Sequence, residues 1–336
     1  MLIGRVDLGR EVLVVAEIGN NHEGHLPVAR ELVKRASETG AQAVKLQTFK
    51  AERFQSPLDE ARLTRLRSFE LPYEAHAELA ELARSLGLLF LSTPFDLESA
   101  RFLIPLVDAL KIASGDNTFV PLIELAARSD RPLIISAGLA TIDEIEGTVR
   151  LIEGIRGGAR TRESLAVLHC VSAYPVDPRE ANLLSVPFLA QRLGLTVGYS
   201  DHTLGIDAAL TAVALGARLV EKHFTLDKTK PGFRDHQLSA DPADLRELVV
   251  RIKLVSELLG TSGKPVQPGE SSGRIAYRRS ISAARALVAG HRVASEDLDW
   301  LRPGGGIAPG DEARVVGHAL TRDVPAGHAF APADLE

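Results

Sequence analysis

The chain has 336 residues, with 39 Lys and Arg against 44 Asp and Glu, a formal net charge of −5 at pH 7. A hydrophobic fraction of 45% with 25% charged residues excludes intrinsic disorder, and the mild acidity gives no electrostatic reason for a nucleic-acid partner. No apolar run approaches the ~20 residues that span a bilayer, the start lacks a signal-peptide pattern, and the one cysteine, Cys170, excludes a disulfide framework, so a soluble cytoplasmic protein is expected.

Short apolar runs alternate with amphipathic segments in chain order. Strands are predicted at 12–17, 43–47, 88–93, 109–114, 132–138, 165–171, 196–201 and 218–224, and helices at 27–39, 72–86, 143–154 and 242–259. Gly40, Gly87 and Gly216 sit where helix C-termini need a residue tolerant of positive φ. Runs of Val, Ile and Leu without polar alternation suit parallel strands buried on both faces. Eight strand–helix units in about 250 residues predict an α/β fold, a (β/α)8 TIM barrel. A doubly wound open sheet would carry a glycine-rich fingerprint after its first strand, whereas the turn here reads IGNNHEGH. Residues 261–273 (TSGKPVQPGESSG) have linker composition, and close-spaced turn clusters (GGGIAPG, VPAGHAF) follow. The expected division is a barrel over 1–260, a linker over 261–278 and a small, mostly β domain over 279–336. A domain that small is near the limit of independent stability and is expected to dock on something.

A barrel presents its active site at the C-terminal ends of its strands. Those ends carry Glu17, Lys45 and Gln47, Ser92 and Thr93, Lys111 running into Ser114 and Asp116, Ser136, His169 with Cys170 and Ser172, Ser200 with Asp201 and His202, and Glu221, Lys222 and His223. Solvent contact explains serine and threonine there, but not charged residues inside apolar strands such as Lys45, Lys111 and Glu221. Alternation places Lys45 with Gln47, and Glu221 with His223, on one strand face. Lys222 is then expected to point outward and pair with a helix carboxylate. Converging lysines and hydroxyls from several strands predict an anion, plausibly a phosphate. His202 and His223, at the ends of adjacent strands, are candidate ligands of a divalent metal, with Asp201, Glu221, Asp235 and His236 nearby. His76 is expected on a helix surface, and Cys170 has no evident base.

The same segments resemble the sialic acid synthase family: AEIGNNHEG, AVKLQTFKAE, FLSTPFD, LKIASGD, PLIISAG, LHCVSAYP, VGYSDHTLG, VEKHFTLDK and DHQLSAD. The stretch RRSISAAR…EDLDWLRPGGGI…VVGHALTRDVPAGHAF looks like that family's C-terminal antifreeze-like (SAF) domain. The resemblance implies a transferase that condenses phosphoenolpyruvate with an N-acetylated amino sugar to give a nonulosonic acid and phosphate. It implies that Lys45 and Lys111 hold phosphoenolpyruvate, with Thr93, Ser114, Ser136, Ser172 and Ser200 completing the shell. His202 and His223 would ligate Mn2+, with Mg2+ or Co2+ as alternatives. Gln47, Tyr174 and Asp235 would contact the sugar, Glu17 or Asp116 would move a proton as an ionised base, and Arg302 would reach the site of a partner subunit in a domain-swapped homodimer.

Three departures from the family pattern bear on the sugar. Asp116 stands where glutamate is frequent, KPGFRDH is one residue longer than the common form and brings in Phe233 and Arg234, and RPGGGI has glycine in place of a frequent asparagine. N-acetylmannosamine, a 2,4-diacetamido hexose of the legionaminic or pseudaminic branch, and an uncommon spore or surface sugar therefore all remain open as acceptors. A phosphorylated aldose would need a second phosphate cradle with arginines, and the strand ends contain none. A non-catalytic sugar-binding protein would leave Glu17, the lysines and the histidine pair without a purpose.

Overall fold

The eight apolar runs form eight parallel strands: β1 (Leu13–Gly19), β2 (Ala43–Thr48), β3 (Leu89–Pro94), β4 (Ala109–Ile112), β5 (Leu133–Ser136), β6 (Leu165–Cys170), β7 (Thr196–Asp201) and β8 (Leu219–His223). Each pairs with the next and β8 pairs with β1, so the sheet closes into a barrel. This computed structural model describes residues 1–231 and 233–336 and divides into two units, Met1–Gly260 and Thr261–Glu336.

Local chemistry sets the element ends. Gly40, Gly87 and Gly216, each at a helix-to-strand turn, adopt φ of +88°, +78° and +105°. The helix Ile142–Arg156 begins with a capping box between Thr141 and Glu144, and Pro242–Leu259 with one between Asp241 and Asp244. Both devices satisfy backbone N–H groups that the first turn leaves unpaired.

The outward rows of the strands, such as Val14, Ala16 and Ile18 or Val44 and Leu46, pack under the helices in the main core. The inward rows change character along each strand. At the N-terminal end they are apolar: Leu13, Val15, Ala43, Leu89, Leu91, Ala109, Ile134, Leu168 and Leu219 form a second core. A hairpin of Leu2–Ile3 with Val6–Asp7 adds Ile3, Val6 and Leu8 to it and plugs that end. One step further along the same face the residues are Glu17, Lys45, Thr93, Lys111, Ser136, Cys170, Ser200 and Glu221. Each buried branched side chain contributes about 1.5–3 kcal/mol, so the lower layers of the barrel hold the charged layer in place.

The second unit has its own core, built on Ile281, Val293, Leu298, Val315, Leu320 and Phe330. Its strands Ser280–Ala283 and Leu298–Leu301 pair antiparallel. The stretch 261–278 carries a short helix, Gly273–Ala276, and groups with this unit. The unit contains an internal duplication. Arg285, His291, Ala294 and Asp297 recur at the same spacing as Arg322, His328, Ala331 and Asp334. In each copy the buried aspartate accepts from the alanine backbone N–H (3.1 and 2.9 Å), contacts the histidine Nε2 (2.6 and 2.8 Å) and pairs with the arginine (2.7 and 2.6 Å). The bridges Ser282 with Ala329 and Arg292 with Ala319 relate the copies by a pseudo-twofold. Among the described residues no helix is long and apolar enough to cross a membrane.

Candidate active site

The polar upper layer of the barrel opens into a cleft of about 500 Å3. Every residue expected at the site lines it except Asp235 and Arg302. Asp235 begins a short helix, Asp235–Leu238, set back from the cleft wall. Arg302 belongs to the second unit, directly after its strand Leu298–Leu301, and is exposed.

Four buried ionic groups form the floor. Lys45 Nζ lies 2.9 Å from Glu17 Oε2 and 3.6 Å from Glu221 Oε1, and Lys111 Nζ lies 3.9 Å from Glu221 Oε2. Lys45 also donates to Thr93 Oγ1 (3.1 Å), Lys111 to Ser136 Oγ (2.6 Å), and Ser200 to Glu221 Oε1 (3.1 Å). Gln47 donates to Glu17 Oε1 at 3.2 Å and accepts from Asn20. Burial opposes the charge on every member, and the partners decide the outcome. For Glu221 the two lysines outweigh burial and hold the carboxyl below its usual range. For Glu17 burial wins over Lys45, and the carboxyl is raised. Lys45 is raised because Glu17 and Glu221 outweigh its burial, whereas burial lowers Lys111.

Above the floor, Ser114 and Ser172 pack closely against Gly138. A Cβ there would come within 2.5 Å of Ser172 Oγ and 2.6 Å of Ser114 Oγ. The Ser172 hydroxyl is buried and has no hydrogen-bond partner among the described residues. Two hydroxyls this close together, lining the same cleft as two lysines, suit an anionic oxygen. Asp116 ends the 3-10 turn Ser114–Asp116; its Oδ2 is buried without a partner, and burial raises the carboxyl to about 6. Desolvation raises both Asp116 and Glu17, and a value of about 6 leaves Asp116 ionised as a base at neutral pH.

His202 and His223 lie side by side, ring centroids 5.3 Å apart, with Tyr174 4.1 Å from the first. His202 Nδ1 is 2.9 Å from the Val171 carbonyl, which assigns the proton to Nδ1 and leaves Nε2 as an acceptor. His223 Nδ1 is buried and unpartnered, and desolvation lowers its pKa well below the ordinary value, so the ring is neutral. At His202 burial is outweighed by Cys170 and the Val171 carbonyl, which raise its pKa, so the pair would offer two nitrogen donors to a divalent ion once His202 Nε2 is deprotonated, with the remaining positions left to water or substrate oxygens. Among the described residues no group of three or more His, Cys, Asp or Glu side chains is placed to hold one.

Several neighbours have other duties than expected. Lys222 does point away from the cleft, but its partner is the strand residue Asp201 (2.9 Å), not a helix carboxylate, because both sit in the outward row under the helices. Asp201 and His236 are therefore not metal ligands: Asp201 is held by Lys222 and Thr203, and His236 bridges Glu23 and Thr225. His76 is buried rather than on a helix surface, near Thr48 Oγ1, and its pKa falls to about 3 through desolvation. Cys170 Sγ lies 3.8 Å from His202 Nδ1, but that nitrogen carries its proton toward the Val171 carbonyl and is no base for the thiol. The strand ends lack arginine, yet Arg62, from the helix Glu60–Phe69 after β2, lines the cleft, as do Phe54, Gln55 and Phe95. Phe95 directly follows β3, a strand-end position open to sequence reasoning, whereas Phe54 and Arg62 lie on the short helices Ala51–Phe54 and Glu60–Phe69, which no strong periodicity marks.

Residues 32–264 match the NeuB family and residues 278–336 the SAF domain. The N,N'-diacetyllegionaminic acid synthase of Legionella pneumophila is 42% identical over 328 residues, covering 94% of this chain and 92% of that one. The N-acetylneuraminate-9-phosphate synthase of Mus musculus is 32% identical over 291 residues, covering 82% and 79%. Among solved structures, N-acetylneuraminic acid synthetase from Leptospira borgpetersenii, in complex with citrate, superposes with a TM-score of 0.76 at 32% identity, covering 81% of this chain and 94% of that one.

Proposed function

The chain belongs to the NeuB family, and we propose that it condenses phosphoenolpyruvate with a 2,4-diacetamido hexose to give a nonulosonic acid and phosphate. The observation that carries the reading is the cleft floor, where two lysines and five hydroxyl-bearing residues from six strand ends surround one space. The similarity to a diacetyllegionaminic acid synthase over most of both chains favours the diacetamido sugar among the acceptors.

In this reading Lys45 and Lys111 neutralise and orient the phosphate and carboxylate of phosphoenolpyruvate, while Ser114 and Ser172, side by side against Gly138, donate to a phosphate oxygen. A divalent ion held by His202 and His223 would supply Lewis acidity at the sugar's aldehyde oxygen. C3 of phosphoenolpyruvate forms the new bond to the aldehyde carbon, water adds at C2, and the C2–oxygen bond to phosphate breaks. Asp116, poised near neutrality, takes the proton from that water. Buried Glu17 and Glu221 keep Lys45 charged between turnovers. Arg302, contributed by a second copy of the chain, completes the acceptor site.

Phosphate release from phosphoenolpyruvate with Mn2+, across N-acetylmannosamine, its 6-phosphate and a 2,4-diacetamido hexose, tests the reading. Release that depends on the diacetamido sugar and stops with chelator is the expected result. Silence with every sugar refutes it.

A further inference from the structure

We infer that the segment after β2, together with Phe95 at the end of β3, reads the acceptor: Phe54, Phe95 and Arg62 form a wall that selects a sugar carrying a second N-acetyl group, an inference that rests on the synthase reading above. Beside the charged floor the cleft has an aromatic face. Phe54 and Phe95 stack at 4.4 Å and 21° and line it half-buried. Phe49, itself buried, backs both rings at 5.6 and 6.3 Å, so the pair cannot turn aside. The segment is also tied to the barrel: Lys50 pairs with Glu70 at 3.0 Å, and the backbone N–H groups of Lys50 and Ala51 donate to Asp96 and Glu70, both at 2.9 Å. This is a fixed apolar face inside a sugar-sized cleft.

A hydroxyl pressed against phenyl faces loses its water and gains no partner. A methyl loses nothing and gains about fourfold in affinity for each buried carbon. An acetamido group presents a methyl and, beside it, a carbonyl that needs a donor. Arg62 supplies one. Its backbone N–H caps its helix on Asp59 Oδ1 (3.1 Å), and its guanidinium lines the cleft with no ion-pair or hydrogen-bond partner among the described residues. The neighbouring arginines are engaged, Arg65 against Phe69 and Phe233 and Arg234 over Tyr174. A sugar phosphate would instead demand a shell of several donors, and the phenyl faces beside Arg62 offer none.

The test uses the full chain with phosphoenolpyruvate and Mn2+, and compares kcat/KM for the diacetamido hexose with that for N-acetylmannosamine and its 6-phosphate. The wild-type protein is expected to prefer the diacetamido sugar. Phe54→Ser lowers the ratio between the two unphosphorylated acceptors about fivefold, and Phe54→Leu, which keeps an apolar face, restores it. Arg62→Ala, an exposed position that leaves the fold intact, lowers the same ratio about tenfold without raising the KM for phosphoenolpyruvate. Equal losses for both acceptors would overturn the wall. So would a wild-type preference for the 6-phosphate that Arg62→Ala abolishes. Wild-type silence with all three sugars, seen before any substitution, refutes the synthase reading and this inference together.

Discussion

Gly138→Ala is the substitution that most directly tests where the phosphate sits. Gly138 lines up with no backbone strain of its own, since its φ lies outside the left-handed region. The added methyl acts only through what it meets: Ser172 Oγ at 2.5 Å, Ser114 Oγ at 2.6 Å and Ser114 Cβ at 3.0 Å. The hydroxyls must rotate away and Ser114 Cβ must shift by a few tenths of an ångström, so neither hydroxyl keeps its place. Two hydrogen bonds to a charged acceptor are lost, at about 1.5–3 kcal/mol each, so the KM for phosphoenolpyruvate is expected to rise roughly 100-fold or more. The sugar KM and the melting temperature should move little, because no core side chain is displaced. Steady-state phosphate release with each substrate varied, alongside a thermal melt, gives the answer. An unchanged KM for phosphoenolpyruvate in a folded variant would refute the placement of the anion between the two serines.

Other consequences can be checked in parallel. If Asp116 is the base, kcat/KM rises with pH through about 6 and is lost below it as the carboxylate takes a proton; Asp116→Asn should remove that limb and lower kcat about 100-fold. Lys222→Met leaves Asp201 buried and unpaired, a cost of about 3–5 kcal/mol, so the barrel should melt lower by roughly 6–20 °C, and adding Asp201→Leu should recover much of the loss. In the second unit, buried Asp297 and Asp334 lie below the usual carboxylate range because histidine, arginine and a backbone N–H outweigh burial. Their contribution is present above an unfolded-state value near ~4 and lost as pH falls through the folded one. Hydrogen exchange of the full chain should show this unit opening first on acidification, and Asp297→Asn should reproduce that opening at neutral pH.

Much of the fold and the site floor could be read from the residues because both follow one rule. All eight strands lie where runs of branched residues predict them, and alternation along each assigns the inward face. On β2 that face reads Ala43, Lys45, Gln47, and on β8 Leu219, Glu221, His223, so the charged layer was visible as polar letters at fixed parity. What escaped was set by distance in space. The helix Glu60–Phe69 buries only Leu63, so no strong apolar stripe announces it or the Arg62 it delivers to the cleft. Lys222 could be assigned its face but not its partner, since Asp201 becomes its neighbour only through the β7–β8 register. The duplication around Asp297 and Asp334 was legible but unread: Ala289-Gly290-His291 and Ala326-Gly327-His328 stand at the same spacing before Asp297-Leu298 and Asp334-Leu335.

The buried quartet of Glu17, Lys45, Lys111 and Glu221 explains how such a site can wait for an anion without destabilising the barrel. Two lysines alone at this depth would each cost several kcal/mol of lost hydration. Two carboxylates within 2.9–3.9 Å cancel their charge and keep Lys45 protonated. The arrangement is balanced rather than tight: the Lys111 contact is the longest, and Lys111 is the lysine whose proton burial loosens. An incoming anion then takes donors that are already desolvated and aimed, and displaces carboxylate contacts instead of water. The desolvation that substrate binding would otherwise demand has been met in folding, by the apolar layers beneath. The same apolar-to-polar step along eight inward rows thus supplies both the rigidity and the electrostatics of the cleft.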